Sequence, residues 1–436
     1  VNGTARYEGT NRMGKSRSAR WLPTWNVSGA WNAHEEKFFS NLTSVLSHFT
    51  LKASYSLTAD RGPADVTNSQ AIITSYSPYR PFTSIQESGL YIKELENSEL
   101  TYEKKHELNI GADMGFLNNR INLAVDWYKR NNYDLIGIVN TQGAGGQILK
   151  YANIASMKSH GIEFTLSTKN IKTKDFNWNT DFIFSNAKNE VTDLKQNANV
   201  MELISGNGFA KQGYPVRGLF SIPFVGLDKD GIPVIINEKG EATSTDINFQ
   251  ERQNTGFLKY EGPTDPTITG SLGNMFSYKG FRLNLFITYS FGNVIRLNPV
   301  FKAYYSDLTA MTREFKNRWT LPGDEAKTNV PAILSKRMYD SNEDLKYAYN
   351  AYNYSTERIA KGDFIRLKEI SLAYDFPKAW INPLKLTDLS LKVQATNLFL
   401  IYADDKLNGQ DPEFFNAGGV ASPVPRQFTI TLRLGL

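Results

Sequence analysis

The chain has 436 residues, of which 41% are hydrophobic and 21% charged, with no cysteine and a formal net charge of +5. The absence of cysteine excludes a disulfide framework and a thiolate metal site. Lys and Arg are scattered, without the basic blocks that nucleic acid selects. No run approaches the roughly 18 consecutive apolar residues of a membrane-crossing helix, which leaves open a barrel whose strands spend every second residue on a polar interior.

In chain order, weaker strand patterns at 1–9 and 24–31 precede a clear one, in which Phe49, Leu51, Ala53, Tyr55 and Leu57 alternate with Thr50, Lys52, Ser54 and Ser56. Leu108, Ile110, Ala112, Met114 and Phe116 then alternate with Glu107, Asn109, Gly111 and Asp113, and Ile121, Leu123, Val125 and Trp127 with Asn122, Ala124 and Asp126. Ile162, Phe164 and Leu166 oppose Glu163 and Thr165, and Phe176, Trp178, Phe182 and Phe184 oppose Asn177, Asn179 and Asp181. A weaker pattern at 268–278 leads into Phe281, Leu283, Leu285, Ile287 and Tyr289 against Arg282, Asn284 and Thr288. Ile370, Leu372, Tyr374 and Phe376 against Glu369, Ser371 and Asp375 follow, then Leu389, Leu391, Val393 and Ala395 against Lys392 and Gln394. The last nine residues place Phe428, Ile430, Leu432, Leu434 and Leu436 on one face and Thr429, Thr431, Arg433 and Gly435 on the other, because successive strand side chains point to opposite sides.

About twelve strands result, each long enough for the ~9–11 residues that cross a bilayer at a tilt. Short connections (34–47, 116–120, 169–175, 278–280, 377–386) alternate with long ones (58–101, 131–156, 186–267, 292–363, 399–425). Short turns on one rim and long loops on the other are the outer-membrane barrel pattern. The expected fold class is therefore all-β, a transmembrane antiparallel β-barrel with short periplasmic turns and long extracellular loops. Lys52, Asp113, Asp126, Glu163, Asp181, Arg282, Asp375 and Lys392 fall mid-strand on the polar side and are expected to face a lumen; Leu285, Leu372, Leu391, Phe428 and Leu432 are expected to face lipid. Alternation also suits a sandwich or propeller with one wet face. The chain opens on Val1 without a signal-peptide pattern, so an upstream segment is expected to have been removed.

Catalysis finds little support. His34, His48, His106 and His160 are far apart in sequence, His34-Glu35-Glu36 lacks the second histidine of a zinc-protease helix, and there is no nucleophile elbow or phosphate loop. Asp228-Lys-Asp-Gly231 reads as a β-turn rather than a calcium loop, Asp404-Asp405 as a solvated turn, and Asp411-Pro412-Glu413 as a structural loop. No cofactor is indicated. The candidate ligand contacts are loop aromatics, Tyr76, Tyr79, Tyr304, Tyr305, Tyr347, Tyr349, Tyr352 and Tyr354, with Arg80 and Arg358 as charge-selecting groups. Their rings can stack on sugars or apolar peptide groups; packing between loops or against a partner protein is the more ordinary account of them.

Several stretches carry a resemblance. They are Arg20-Trp-Leu-Pro-Thr-Trp-Asn-Val-Ser-Gly-Ala-Trp31 with His34-Glu-Glu36, Tyr102-Glu-Lys-Lys-His-Glu-Leu-Asn-Ile-Gly111, Asn153-Ile-Ala155 before Gly161-Ile-Glu163, Arg318-Trp-Thr-Leu-Pro-Gly323, Gly362-Asp-Phe-Ile-Arg-Leu-Lys368, Thr396-Asn-Leu-Phe399, Gly409-Gln-Asp-Pro-Glu413 and Pro425-Arg-Gln-Phe428. In this order and spacing the chain resembles the C-terminal part of SusC-like TonB-linked outer-membrane transporters, the RagA/SusC family. It departs in ending on Leu436, where such barrels often end on Phe or Trp.

The resemblance implies that residues 1–436 form about the last twelve strands of a 22-stranded plugged barrel. The plug, TonB box and first strands would lie outside this chain, with an N-terminal plug and barrel half as partner. It further implies a SusD-like surface lipoprotein as lid, a dimer of such pairs, and the TonB–ExbB–ExbD machine as energy source. The expected function is import of a glycan fragment or oligopeptide across a Gram-negative outer membrane. A self-contained passive porin or adhesin, and a soluble β-rich carbohydrate-binding protein, stand as the alternatives.

Overall fold

The computed structural model describes residues 1–62, 70–79, 87–143, 148–247, 254–302, 311–415 and 425–435. Twelve strands form one antiparallel sheet in unbroken chain order. They are β1 (Asn2–Gly9), β2 (Trp21–Asn32), β3 (Leu46–Asp60), β4 (Glu103–Phe116), β5 (Ile121–Asn140), β6 (Leu149–Lys172), β7 (Phe176–Leu194), β8 (Ile268–Tyr278), β9 (Phe281–Phe291), β10 (Phe364–Asp375), β11 (Asp388–Ala403) and β12 (Gln427–Gly435). Among the described residues β1 pairs with β2 alone and β12 with β11 alone, so the sheet has two free edges and is not closed. No helix among the described residues is long and apolar enough to cross a membrane.

The tight turns follow from local chemistry. Between β4 and β5 the backbone reverses through Leu117, Asn118 and Asn119, with φ of 53°, 57° and 58°; Asn tolerates this left-handed region better than most residues. Lys279 and Gly280 (φ 43° and 89°) form the two-residue turn between β8 and β9, whose twist matches that of the flanking strands.

Several strands outrun the alternation. The link expected over 131–156 is largely paired backbone, because β5 continues to Asn140 and β6 begins at Leu149. The pattern fades there because Asn131, Asn132 and Asp134 put polar groups on both faces, while pairing continues past a bulge at Asp134 (φ 57°). The link expected over 186–267 likewise starts as strand as far as Leu194.

The apolar cores lie in the loops rather than the wall. Val200, Leu203, Ile204, Phe220, Ile222, Ile235, Ala348 and Ala351 form one cluster that folds the 195–267 and 292–363 loops onto each other. Its centrepiece is the helix α1 (Glu343–Asn353), within a segment expected to be plain loop. Leu345, Ala348, Tyr349 and Tyr352 recur at helical spacing and are buried. The Asn342 side chain accepts from the Leu345 N–H at 3.4 Å, and Glu343 and Asp344 favour the positive end of the helix.

Candidate functional site: the charged face and the loop shell

Register sorts the wall into two chemically distinct faces. Lys52 opposes Gly111, Gly111 opposes Asp126 and Asp126 opposes Glu163, so these lie in one cross-strand row. Asp113, Asp181, Arg282, Asp375 and Lys392 stand on the same face. Their charges are largely compensated within the face. Lys52 meets Asp113 at 2.8 Å, Arg282 meets Asp375 at 2.9 Å, and Lys392 lies 3.8 Å from Glu369. The Ser167 hydroxyl donates to Asp181 at 2.6 Å and the Ser185 hydroxyl to Glu163 at 3.3 Å.

The other face is apolar. Leu285, Ile370, Ala395 and Phe428 make one row, and Phe281, Tyr374, Leu391 and Leu432 another, with Leu372 between them. Leu372, Leu391, Phe428 and Leu432 are exposed large hydrophobics, whereas Leu285 is half-buried among its neighbours. A polar cluster on this face satisfies itself: Trp178 Nε1 and the Thr180 hydroxyl donate to Asn274 Oδ1 at 2.9 and 2.7 Å, and Asn170 donates to the Thr180 oxygen at 2.7 Å.

Above the charged face, motif residues that are distant in sequence lock the loops together. Arg20 Nε donates to the Gly14 carbonyl at 2.6 Å and the Tyr102 hydroxyl to the Arg20 carbonyl at 3.2 Å. Asn153 accepts from the Thr101 N–H at 2.9 Å and donates to its carbonyl at 2.8 Å. Gly14 is required here, since a Cβ would lie 2.0 Å from the Ser98 carbonyl oxygen. On the far side Arg366 of β10 is buried against the loop that follows β11, 2.5 Å from Asp411 and 3.2 Å from Glu413. Asp363 accepts from the Gly292 N–H at 2.6 Å.

A third lock joins the Arg318–Gly323 motif to the Asp228–Gly231 turn. Asp228 Oδ1 accepts from the N–H groups of Asp230 and Ile232, both at 2.9 Å, which makes the acidic segment a turn. Gly231 (φ 76°) leaves room for Trp319, whose ring would lie 2.6 Å from an added Cβ. Trp319 Nε1 donates to Glu325 at 2.9 Å. The Leu321 and Thr320 N–H groups and the Thr320 hydroxyl hold the Asp324 carboxyl well below its usual range, at about 2. No group of three or more His, Asp or Glu side chains that could hold a metal occurs among the described residues.

The candidate ligand contacts separate. Tyr349, Tyr352 and Arg358 are 0–1% exposed inside the loop cores and offer a solute no face, which corrects their assignment as contacts. The Tyr349 hydroxyl donates to the Ala332 carbonyl at 2.8 Å, and Arg358 is 2.6 Å from both Glu314 and the Asn298 carbonyl. Burial raises the Tyr352 phenol above its ordinary value. Tyr354 is half-buried at the end of α1. Tyr76, Tyr79 and Tyr347 are exposed, the first in edge contact with Tyr91 at 5.6 Å between centroids. Arg80, Tyr304 and Tyr305 lie outside the described residues.

A cavity of about 1310 Å³, lined by Arg366, Asn397, Tyr402, Asp404, Gln410 and Arg426 among others, opens beside the upper part of β11. Asp404 is engaged in turn formation there, accepting from the Lys361 and Lys406 N–H groups at 2.8 and 2.9 Å. Residues that sequence patterns did not single out are also structural. Buried Arg296 donates to the carbonyls of Phe220 (2.6 Å), Ser355 (2.8 Å) and Ile204 (3.4 Å), and burial pushes it down to about 10, still charged at neutral pH. Its tripeptide Val294-Ile-Arg296 has no periodic or motif signal that could have exposed it.

No family model matches the chain. TonB-dependent receptor P3 of Formosa agariphila is 25% identical over 430 residues, covering 94% of this chain and 40% of that protein. TonB-dependent receptor SusC of Bacteroides thetaiotaomicron is 26% identical over 460 residues, covering 99% and 41%. Among solved structures, the RagAB peptide transporter superposes over 99% of this chain and 45% of that one, with a TM-score of 0.76 and 24% identity. The open-open state of the RagAB peptide importer covers 100% and 45%, with a TM-score of 0.78 and 22% identity. The chain thus spans less than half the length of the relatives it matches. Along essentially its whole length it resembles SusC and other TonB-dependent receptors, and its twelve-strand antiparallel sheet has the fold of part of the RagAB β-barrel structures.

Proposed function

We propose that this chain forms the C-terminal barrel wall and extracellular loop shell of a TonB-dependent importer for an oligomeric nutrient, a glycan fragment or oligopeptide. In this reading the charged face lines the lumen, the apolar face meets lipid, and the loops receive a SusD-like lipoprotein lid. The plug and the remaining strands close the barrel. TonB–ExbB–ExbD supplies the work, and pairs of transporter and lid associate as dimers. The observation that carries it is the twelve-strand sheet in unbroken chain order with one charged and one apolar face.

The two free edges support a wall that continues elsewhere. A self-contained twelve-strand porin would pair β1 with β12, and bare strand edges are not sustained in hydrocarbon. Physically, the chain's part is to enclose and to hold the loops, without covalent chemistry. The test is uptake of labelled oligopeptides and oligosaccharides by cells carrying the full-length protein, with and without a collapsed proton gradient, together with mass identification of whatever co-purifies. Gradient-dependent uptake and a captured lipoprotein are expected. Gradient-independent leakage of small solutes would instead establish a passive pore.

A further inference from the structure

The apolar face does not stay apolar to the loop rim. Its upper belt contains Ile110, Trp127 and Ile162, consecutive partners across β4, β5 and β6. The next row toward the long loops runs Tyr55, Leu108, Lys129, His160, Lys188. Lys129, His160 and Lys188 therefore occupy adjacent positions on three neighbouring strands, and all three are exposed.

Several other cations on the wall have carboxylate partners. Lys105 and Arg130 on the charged face share Glu107 at 2.8 and 3.2 Å. In the outer row beyond, Lys158 meets Glu190 at 3.0 Å, and Lys104 meets Asp134 at 2.6 Å. Lys129, His160 and Lys188 have no ion-pair partner among the described residues, and the imidazole between the two ammonium groups offers a hydrogen-bond donor of its own. Adjacent strands lie ~4.8 Å apart, so the two ammonium-bearing strands are separated by about 10 Å, a span that one phosphorylated headgroup can bridge. The row also sits directly above Trp127 and beside Tyr55, and aromatic side chains mark the level of lipid headgroups.

From these observations we infer that Lys129, His160 and Lys188 form an external site for a phosphate-bearing lipid headgroup of the membrane leaflet on the long-loop side. The inference rests on the membrane-wall reading above. The site takes phosphate from the lipid that surrounds the barrel, not from cargo inside it, because the three side chains share a face with Trp127 and Ile162 and not with Asp126 and Glu163.

The test uses the full-length protein in phosphatidylcholine nanodiscs doped with phosphorylated lipid A or with its dephosphorylated form, and native mass spectrometry counts the lipids retained. Wild type is expected to retain the phosphorylated lipid preferentially. The triple variant Lys129→Gln, His160→Gln, Lys188→Gln should lose that retention by about thirtyfold, on the order of fivefold for each lysine at an anionic surface. Lys129→Arg with Lys188→Arg should keep it, and unchanged heat-modifiability on gels should show that both variants fold. Equal retention by wild type and the triple variant, or indifference to the phosphate, would overturn the inference while leaving the barrel reading intact. Wild type that fails to enter nanodiscs at all would overturn both.

Discussion

Arg296 offers the sharpest test of how the loop shell is held. Its guanidinium ties three carbonyls from separate segments, at Ile204, Phe220 and Ser355, at 3.4, 2.6 and 2.8 Å. Two of these bonds are short and charge-assisted, each worth ~1.5–3 kcal/mol, and the third is too long to matter much. Arg296→Met keeps most of the side-chain volume and removes the cost of burying a charge, which offsets part of the loss. The carbonyls are backbone groups, however, and cannot be exchanged for apolar ones; Ser355 keeps the Arg358 N–H at 3.0 Å, but the guanidinium bonds to the buried Phe220 and Ser355 carbonyls are lost without replacement. The net expectation is a destabilisation of about 2–4 kcal/mol in the loop unit, or about thirtyfold to a thousandfold more frequent opening. Hydrogen exchange at amides in 200–222 and 345–358 should report that acceleration, while gel heat-modifiability of the wall stays unchanged. Exchange within about threefold of wild type would refute the clamp.

Other perturbations test separate parts of the argument. Leu285→Arg should impair assembly, at a cost of ~2–4 kcal/mol near the bilayer midplane, and Leu391→Arg less, at about 0–1 kcal/mol, because its row with Phe281 adjoins the short-turn rim; Gln394→Arg on the charged face should be tolerated, and a Gln394→Arg variant more impaired in heat-modifiability than Leu285→Arg would invert the assigned faces. Asp324 is held ionised down to about 2. A carboxyl depressed in the folded state contributes above its ordinary pKa and loses that contribution as pH falls, so protection of the Thr320 and Leu321 amides should vanish between about pH 4 and pH 2, near the ordinary and depressed values. Gly231→Ala should cost about 1–2 kcal/mol from its left-handed backbone, and more from contact with Trp319; acrylamide quenching should show that indole becoming more accessible. Arg366→Gln should free the loop after β11 and raise its protease sensitivity, since Asp411 is almost fully buried against the guanidinium.

The wall was readable from residues alone because strand side chains alternate, so a sheet with one apolar and one charged face writes both on a single strand. That local rule put Lys52, Asp126 and Glu163 on one side and Leu285 and Leu391 on the other before any pairing was known. It failed beyond Asn131, where both sides of β5 are polar and only backbone pairing to β6 shows that the strand continues. The loops were less legible, since their order comes from contacts between distant segments. The aromatic run from Tyr347 to Tyr354 looked like a ligand surface, yet helical spacing buries Tyr352 against Phe224, more than a hundred positions upstream, and Tyr349 against Phe301. Arg296 has no periodicity or motif at all, because its partners are main-chain carbonyls that any sequence would supply. Sequence by itself therefore determined the strands and their two faces; tertiary structure alone decided which polar and aromatic loop groups are buried fasteners and which remain free to meet another molecule.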